Sequence, residues 1–177
     1  MTELVVLADE SGAATGTALK ADVHTYDTPL HFAFSCYAVD ARGRTLMTRR
    51  SLAKRTWPGV WTNTCCGHPA PGESVEDALV RRMRDELSLE VDWLRPVLPD
   101  FRYRAVASDG IVENEICPVF VAGIGTDPVP DPAEVLQWAW VDVEALHAVA
   151  ASTPMLLSPW SVLQLNALRE SGESLTP

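Results

Sequence analysis

The chain has 177 residues, 47% of them hydrophobic and 21% charged, a balance that fits one buried core and excludes a disordered chain. Its formal net charge of −10 argues against nucleic acid or an anionic membrane as a partner. Four cysteines without CxxC spacing make a disulfide framework improbable.

The amino end, MTELVVLADESG, has no basic stretch and only a short apolar run, so no signal peptide is expected and the expected location is cytoplasmic. Leu4–Ala8 reads as a strand turned at Asp9–Gly12, and Ala18–His24 as a short helix or irregular segment. Phe32–Val39 and Thr45–Arg49 flank Asp40-Ala-Arg-Gly43 as a hairpin. Trp57–His68, broken by Pro58, Gly59 and Gly67, reads as a loop or broken strand.

The clearest helix follows Ser74. That residue suits an N-cap, and Val75, Ala78, Leu79, Met83 and Leu87 form a stripe at helical spacing, with the charges on the other faces. Phe101–Ala107 and Ile111–Val121 surround Asp109-Gly110, a hairpin turn. The longest apolar stretch, near Ile116–Ile124, contains Pro118 and is far short of the roughly 18–20 residues of a membrane helix. After a Pro-rich connection come a strand near Leu136–Val141, a helix capped by Asp142, and a helix over Pro159–Glu170. No linker divides the chain, so residues 1–177 are expected to form one α/β domain with a mixed sheet.

Among the polar groups, His24, His31, His68, Glu113 and Glu115 are all ligand types for a divalent cation. On a strand Glu113 and Glu115 share a face, roughly 6.6 Å apart. Spacing alone leaves open a solvated strand face and hydrogen-bonded structural histidines. Cys66 lies two residues before His68, so in an extended stretch the two side chains emerge together, although a buried cysteine is most often core filler.

The segment Gly67–Leu89 can be laid on the Nudix box, G-x5-E-x7-R-E-U-x-E-E-x-G-U with U aliphatic. Gly67, Glu73, Arg81, Met83, Glu86 and Leu89 fit, whereas Arg82, Asp85 and Ser88 depart from it. An arginine in place of a carboxylate makes the helix poorer for activating water and better for gripping phosphate. With WPGVWTNTCCGHP, RYRA and GIVENEICPVF, the chain resembles the type I isopentenyl-diphosphate isomerases of the Nudix superfamily from about Leu19 to Trp160.

That resemblance implies a Nudix-type α/β/α fold and isomerisation of isopentenyl to dimethylallyl diphosphate through a tertiary carbocation-like species. It implies a site of three histidines and two glutamates (His24, His31, His68, Glu113, Glu115) for Mn²⁺, Mg²⁺ or Zn²⁺. It also implies an Mg²⁺ riding on the diphosphate, held by Glu86 with the Cys66 carbonyl. Cys66 and Glu115 become the proton-transfer pair beside Tyr103, with Cys65 structural; the assignment leans to Glu115 with Tyr103 as acid and a Cys66 thiolate as base. Lys20, Arg50, Lys54 and Arg82 become diphosphate contacts and Trp160 the aromatic face over the cationic carbon. The expected partner is a small isoprenyl diphosphate, with neither nucleic acid nor membrane, and the oligomeric state leans to a monomer. A Nudix diphosphohydrolase and a non-catalytic Nudix-like binding module are the competing readings.

Overall fold

The structure, a computed structural model, describes residues 3–176; the ends of the expected 1–177 domain, and the first two residues of the segment read as lacking a signal, lie outside them. Strand β1 (Leu4–Ala8) turns on Asp9, whose Oδ1 accepts from the Ser11 and Ala13 amides, into β2 (Ala14–Leu19). The sequence reading missed β2. Its residues are almost all exposed and it is held by backbone pairing with β1, so no apolar alternation marks it. Within the expected Ala18–His24 segment only one turn is helical, α1 (Lys20–Val23).

The next apolar run is cut in two at Ala33: β3 (His31–Phe32) belongs to one sheet, and β4 (Phe34–Val39) to the other. β5 (Arg44–Arg50) completes the expected hairpin with β4, and β6 (Trp61–Thr62) and β7 (Cys65–Gly67) are the broken strand. Helix α2 (Val75–Leu87) is capped by the Ser74 side chain, which accepts from the Asp77 amide. It ends at Ser88, which adopts a left-handed φ of 54° where the box pattern has glycine, the residue that takes this conformation without steric cost.

The sequence reading also missed β8 (Trp93–Leu98), an edge strand where Pro96 is tolerated. β9 (Arg102–Val106) and β10 (Val112–Ile116) form the Asp109-Gly110 hairpin. Cys117-Pro118 then transfers the chain to β11 (Val119–Gly123) in the other sheet. β12 (Val135–Asp142), α3 (Val143–Ser152, capped by Asp142), a 3-10 turn (Pro154–Leu156) and α4 (Pro159–Ser171) follow.

The small sheet has the order β2-β1-β3-β10-β9, and the large one β12-β5-β4-β11-β8, with β6 on β5 and β7 on β4. Both are mixed, through the parallel pairs β3/β10 and β4/β11. Alternation along β4 and β11 feeds two cores. Phe34, Cys36, Ala38, Phe120 and Ala122 pack with Leu79, Met83 and Leu87 of α2. Tyr37, Val39, Val119 and Val121 pack with Leu146 of α3 and Leu165 and Leu168 of α4 on the other face. The large sheet is thus the middle layer of an α/β/α arrangement. Each fully buried leucine or methionine contributes about 1.5–3 kcal/mol to it.

At Gly67 the large sheet and α2 approach closely. A Cβ there would lie 2.8 Å from Phe34 Cζ and 3.1 Å from Arg82 Cγ. Both strand runs switch sheets at the same level, since Ala33 N–H donates to Ile116 O at 2.9 Å and Ser35 N–H to Pro118 O at 3.1 Å. A seam opens there between the sheets. Among the described residues, no helix is long and apolar enough to cross a membrane.

Candidate active site

A cavity of about 540 Å³ opens at this seam, lined by Lys20, His24, Arg50, Lys54, Cys66, His68, Arg82, Tyr103, Glu113, Glu115 and Trp160 among others. Sequence-predicted site residues from both sheets, α1, α2 and α4 therefore converge on one space; His31 and Glu86 stand just behind its wall.

Register builds the acidic wall. Glu115 is paired with His31 across the parallel β3/β10 ladder and with Tyr103 across β9/β10, so the three side chains run in a row over the small sheet. His31 Nδ1 lies 2.9 Å from Pro29 O, which turns Nε2 inward, 3.3 Å from His68 Nε2 and 3.5 Å from Glu115 Oε1. His68 Nε2 lies 3.2 Å from the same carboxylate oxygen. One ligand atom from each of His24, His31, His68 and Glu115 falls within 4.8 Å of the others. His24 Nε2 is buried with no hydrogen-bond partner, the position of a donor atom waiting for a cation.

Electrostatics fit that use. Burial, then neighbouring His68, holds His24 down to about 4, so its imidazole is neutral and has a lone pair to give. His68 is lowered as well, again chiefly by burial. Burial opposes ionisation of Glu115, but the hydrogen bonds from His31 and His68 outweigh it and keep the carboxyl well below the usual range.

Glu113 departs from the five-ligand expectation. Its carboxylate is outside the four-residue group and lies 2.6 Å from Tyr103 Oη, which is also 2.8 Å from Glu115 Oε2. A phenol has one proton and cannot satisfy two ionised carboxylates. Burial and the adjacent Glu115 raise the Glu113 carboxyl, which makes a shared proton along the line Glu113–Tyr103–Glu115 easier to hold.

Cys66 and Cys65 separate cleanly. Cys65 points into the core under α2, while Cys66 lines the cavity beside His68. Cys66 Sγ donates to Asn63 Oδ1 at 3.2 Å and lies 3.4 Å from Ser35 Oγ; burial pushes the thiol up to about 11, so it holds its proton here. Trp160 is buried, edge-on to Trp57 at 5.5 Å and tilted against Tyr103 at 6.0 Å. The Arg50 guanidinium sits 5.6 Å from its ring centroid, so this indole face already carries a cation.

The basic end carries compensating charge that the sequence reading missed. Glu3 pairs with Lys20 at 2.6 Å and approaches Arg82 at 3.6 Å; Glu134 pairs with Lys54 and lies 3.7 Å from Arg82. Arg82 and Glu86 form an ion pair in which both partners are buried, not solvated on the helix surface as the α2 pattern suggested. The reason is tertiary, since the β12 connection folds over this end of α2 with the Asp131 amide donating to Glu86 O. Arg50 donates to the Thr56 and Trp57 carbonyls, fixing a loop in which Trp57 has a φ of 43°. Of the missed residues, Asn63 alone lay within a motif already singled out, WTNTCCGHP; nothing local marked Glu3 or Glu134.

Comparison with known proteins places the chain in a family. Residues 29–160 match the NUDIX domain family. The chain is 56% identical to a protein of Frankia alni named isopentenyl-diphosphate Delta-isomerase, over 97% of this chain and 89% of that one. Proteins of the same name from Mycolicibacterium vanbaalenii and Klebsiella pneumoniae are 54% and 48% identical, covering 96% and 98% of this chain and 93% and 94% of theirs. Among solved structures, DR0079 from Deinococcus radiodurans superposes with a TM-score of 0.72 at 19% identity, over 93% of this chain and 98% of that one. A MutT protein from Methanosarcina mazei gives 0.65 at 18%, over 82% and 97%; at such identities the likeness concerns the fold alone.

Proposed function

The chain belongs to the NUDIX-domain family and, within it, to the isopentenyl-diphosphate Delta-isomerases, and from that premise we propose how its residues carry the reaction. The chain isomerises isopentenyl diphosphate to dimethylallyl diphosphate. Cys66 and Glu115 are the proton-transfer groups. The observation that carries this reading is the shared cavity: a thiol from the large sheet and a carboxylate–phenol line from the small sheet, with the indole and Arg50 beside them and Lys20, Lys54 and Arg82 lining the same space.

A terminal alkene is a weak base, so the first proton has to come from a strong acid in a site closed to water. Of the two walls the carboxylic one is the more acidic, and Glu113 keeps a proton against Tyr103. Tyr103 hands its phenolic proton to Glu115 and takes that of Glu113 in exchange, and Glu115 delivers the proton to the terminal carbon. The tertiary cationic carbon then lies against Trp160, whose ring face attracts positive charge by about 0.5–2 kcal/mol. Cys66 removes a proton from the carbon next to the diphosphate-bearing one. It does so as the thiolate, its own proton having passed to solvent before the site closes; burial, which pushes the thiol up to about 11, makes that thiolate a strong base.

His24, His31, His68 and Glu115 would hold a divalent cation, Mn²⁺, Mg²⁺ or Zn²⁺, with Glu113 as the fifth ligand; bound there it would supply positive charge that sets the proton affinity of Glu115. Lys20, Arg50, Lys54 and Arg82 grip the diphosphate, and Glu86 with the Cys66 carbonyl would hold an Mg²⁺ accompanying it. Residues 1–177 act as a single cytoplasmic domain, a monomer. The Arg82–Glu86 pair supports transfer over hydrolysis, since the guanidinium occupies helix surface that a hydrolase gives to a carboxylate.

Incubation with isopentenyl diphosphate and Mg²⁺ in D2O, followed by proton NMR, tests the reading. Deuterium-bearing dimethylallyl signals are expected. Phosphate release without isomerisation would show a hydrolase, and an unchanged spectrum a binding module.

A further inference from the structure

Asn63 is fully buried in the short link between β6 and β7, and the mechanism above gives it no part. Its amide has one orientation. Nδ2 donates to the carbonyls of Cys36 at 3.1 Å and Cys65 at 2.9 Å, which leaves Oδ1 turned toward Cys66 and Trp160 as a pure acceptor. Trp160 Nε1 donates to that oxygen at 3.0 Å and Cys66 Sγ at 3.2 Å. Thr62 Oγ1, at 2.7 Å, and Ser161 Oγ, at 3.4 Å, complete its surroundings.

An indole has a single polar atom, so a bond to Nε1 fixes how the ring is turned about its axis. A thiol on one rotatable bond is fixed in the same way. We propose that Asn63 is a positioning residue that ties the resting Cys66 thiol and the Trp160 indole to one oxygen, setting the proton-transfer group and the cation-holding face in register with each other before the thiol gives up its proton. The proposal rests on the roles given above to Cys66 and Trp160. Its other neighbours make the tie rigid. Ser35 Oγ, on the second side of Cys66, accepts from Gln164 Nε2 at 2.8 Å, and Gln164 Oε1 accepts from Tyr37 Oη at 3.1 Å. Trp57 closes on the Trp160 ring from its edge. Asn63 is the residue, among those described, that bonds both functional side chains.

A residue that merely braced β7 through the Cys36 and Cys65 carbonyls would affect folding and nothing else. A positioning residue displaces its two partners when removed, and a misplacement of about 1 Å can cost roughly 100-fold in rate. The test uses 15N-labelled protein, whose six tryptophans give separate indole signals, with that of Trp160 identified by its loss in Trp160→Phe. In Asn63→Ala the Trp160 signal should move while the other indole signals hold. The kcat should drop by roughly 100-fold with KM for isopentenyl diphosphate little changed. In a Trp160→Phe background the same substitution should cost less, because part of what it disturbs is already gone. Should Asn63→Ala fail to fold, Asn63→Ser leaves a smaller void and runs the same cycle. An unmoved Trp160 signal, an unchanged kcat in folded protein, or strictly additive losses would each overturn the proposal. Cys66→Ala separates this from the reading beneath it: if that variant still isomerises, the proton-transfer assignment fails, whereas an inactive Cys66→Ala beside a fully active Asn63→Ala removes the positioning role alone.

Discussion

The two sheets do different work, and their packing explains why. Every residue of β4 and β11 in the large sheet is buried, clamped between α2 on one face and α3 with α4 on the other. In the small sheet β9 alternates buried and exposed residues, and β2 is almost wholly exposed. The large sheet is stabilised by apolar burial and gives the site a fixed thiol and a fixed helix that brings Arg82 to the cavity. The small sheet contributes His31, Glu113, Glu115 and Tyr103, buried polar groups whose desolvation is offset by their hydrogen bonds to one another. The carboxylate–phenol line therefore comes from the thinner sheet and the thiol from the thicker one.

Substitutions can break this division directly. Cys66→Ala should lower kcat on the order of 10²–10⁴-fold, while Cys65→Ala, one residue along the same strand but aimed into the core, keeps turnover and lowers the melting temperature. Equal losses of activity would erase the distinction between the two faces of β7. Met83→Ala, in the core beneath the large sheet, should cost about 2–5 kcal/mol in denaturant unfolding with KM preserved in the protein that remains folded.

The small sheet should respond to metal. A divalent cation at one hundred times its Kd adds about 2.7 kcal/mol of stability. Thermal melts with and without Mn²⁺ should show the increment, concentrated as hydrogen-exchange protection in β3 and β10, and His31→Ala should abolish it. Protection spread evenly over both sheets would contradict the comparison.

The smallest effect concerns pH. Burial lowers Lys54 to about 8, so its charge is lost as pH rises through that value and diphosphate binding weakens above it. KM measured from pH 7 to 9 should rise, and Lys54→Arg should flatten the rise because a guanidinium stays charged.

Much of this was legible along the chain. The Ser74 cap, the α2 stripe, the Asp109-Gly110 turn and the shared face of Glu113 and Glu115 follow from local periodicity and turn chemistry. β2 escaped because exposed backbone pairing leaves no pattern, and β8 because a proline-bearing edge strand looks like a loop. Glu3 and Glu134 were unreadable since each meets its cation from a distant part of the chain.

By itself the sequence determined which residue types face together within an element, because side-chain direction repeats every two or 3.6 residues, and its motifs pointed to the family. Tertiary structure decided which elements meet. The sheet switches at Ala33 and at Cys117-Pro118 set Glu115 between His31 and Tyr103, and the packing of α4 on β6 and β7 brought Trp160 to the oxygen that also holds Cys66. Periodicity fixes a face and leaves the partner free, so these pairings arise only when the long-range ladders and the two cores close around the seam.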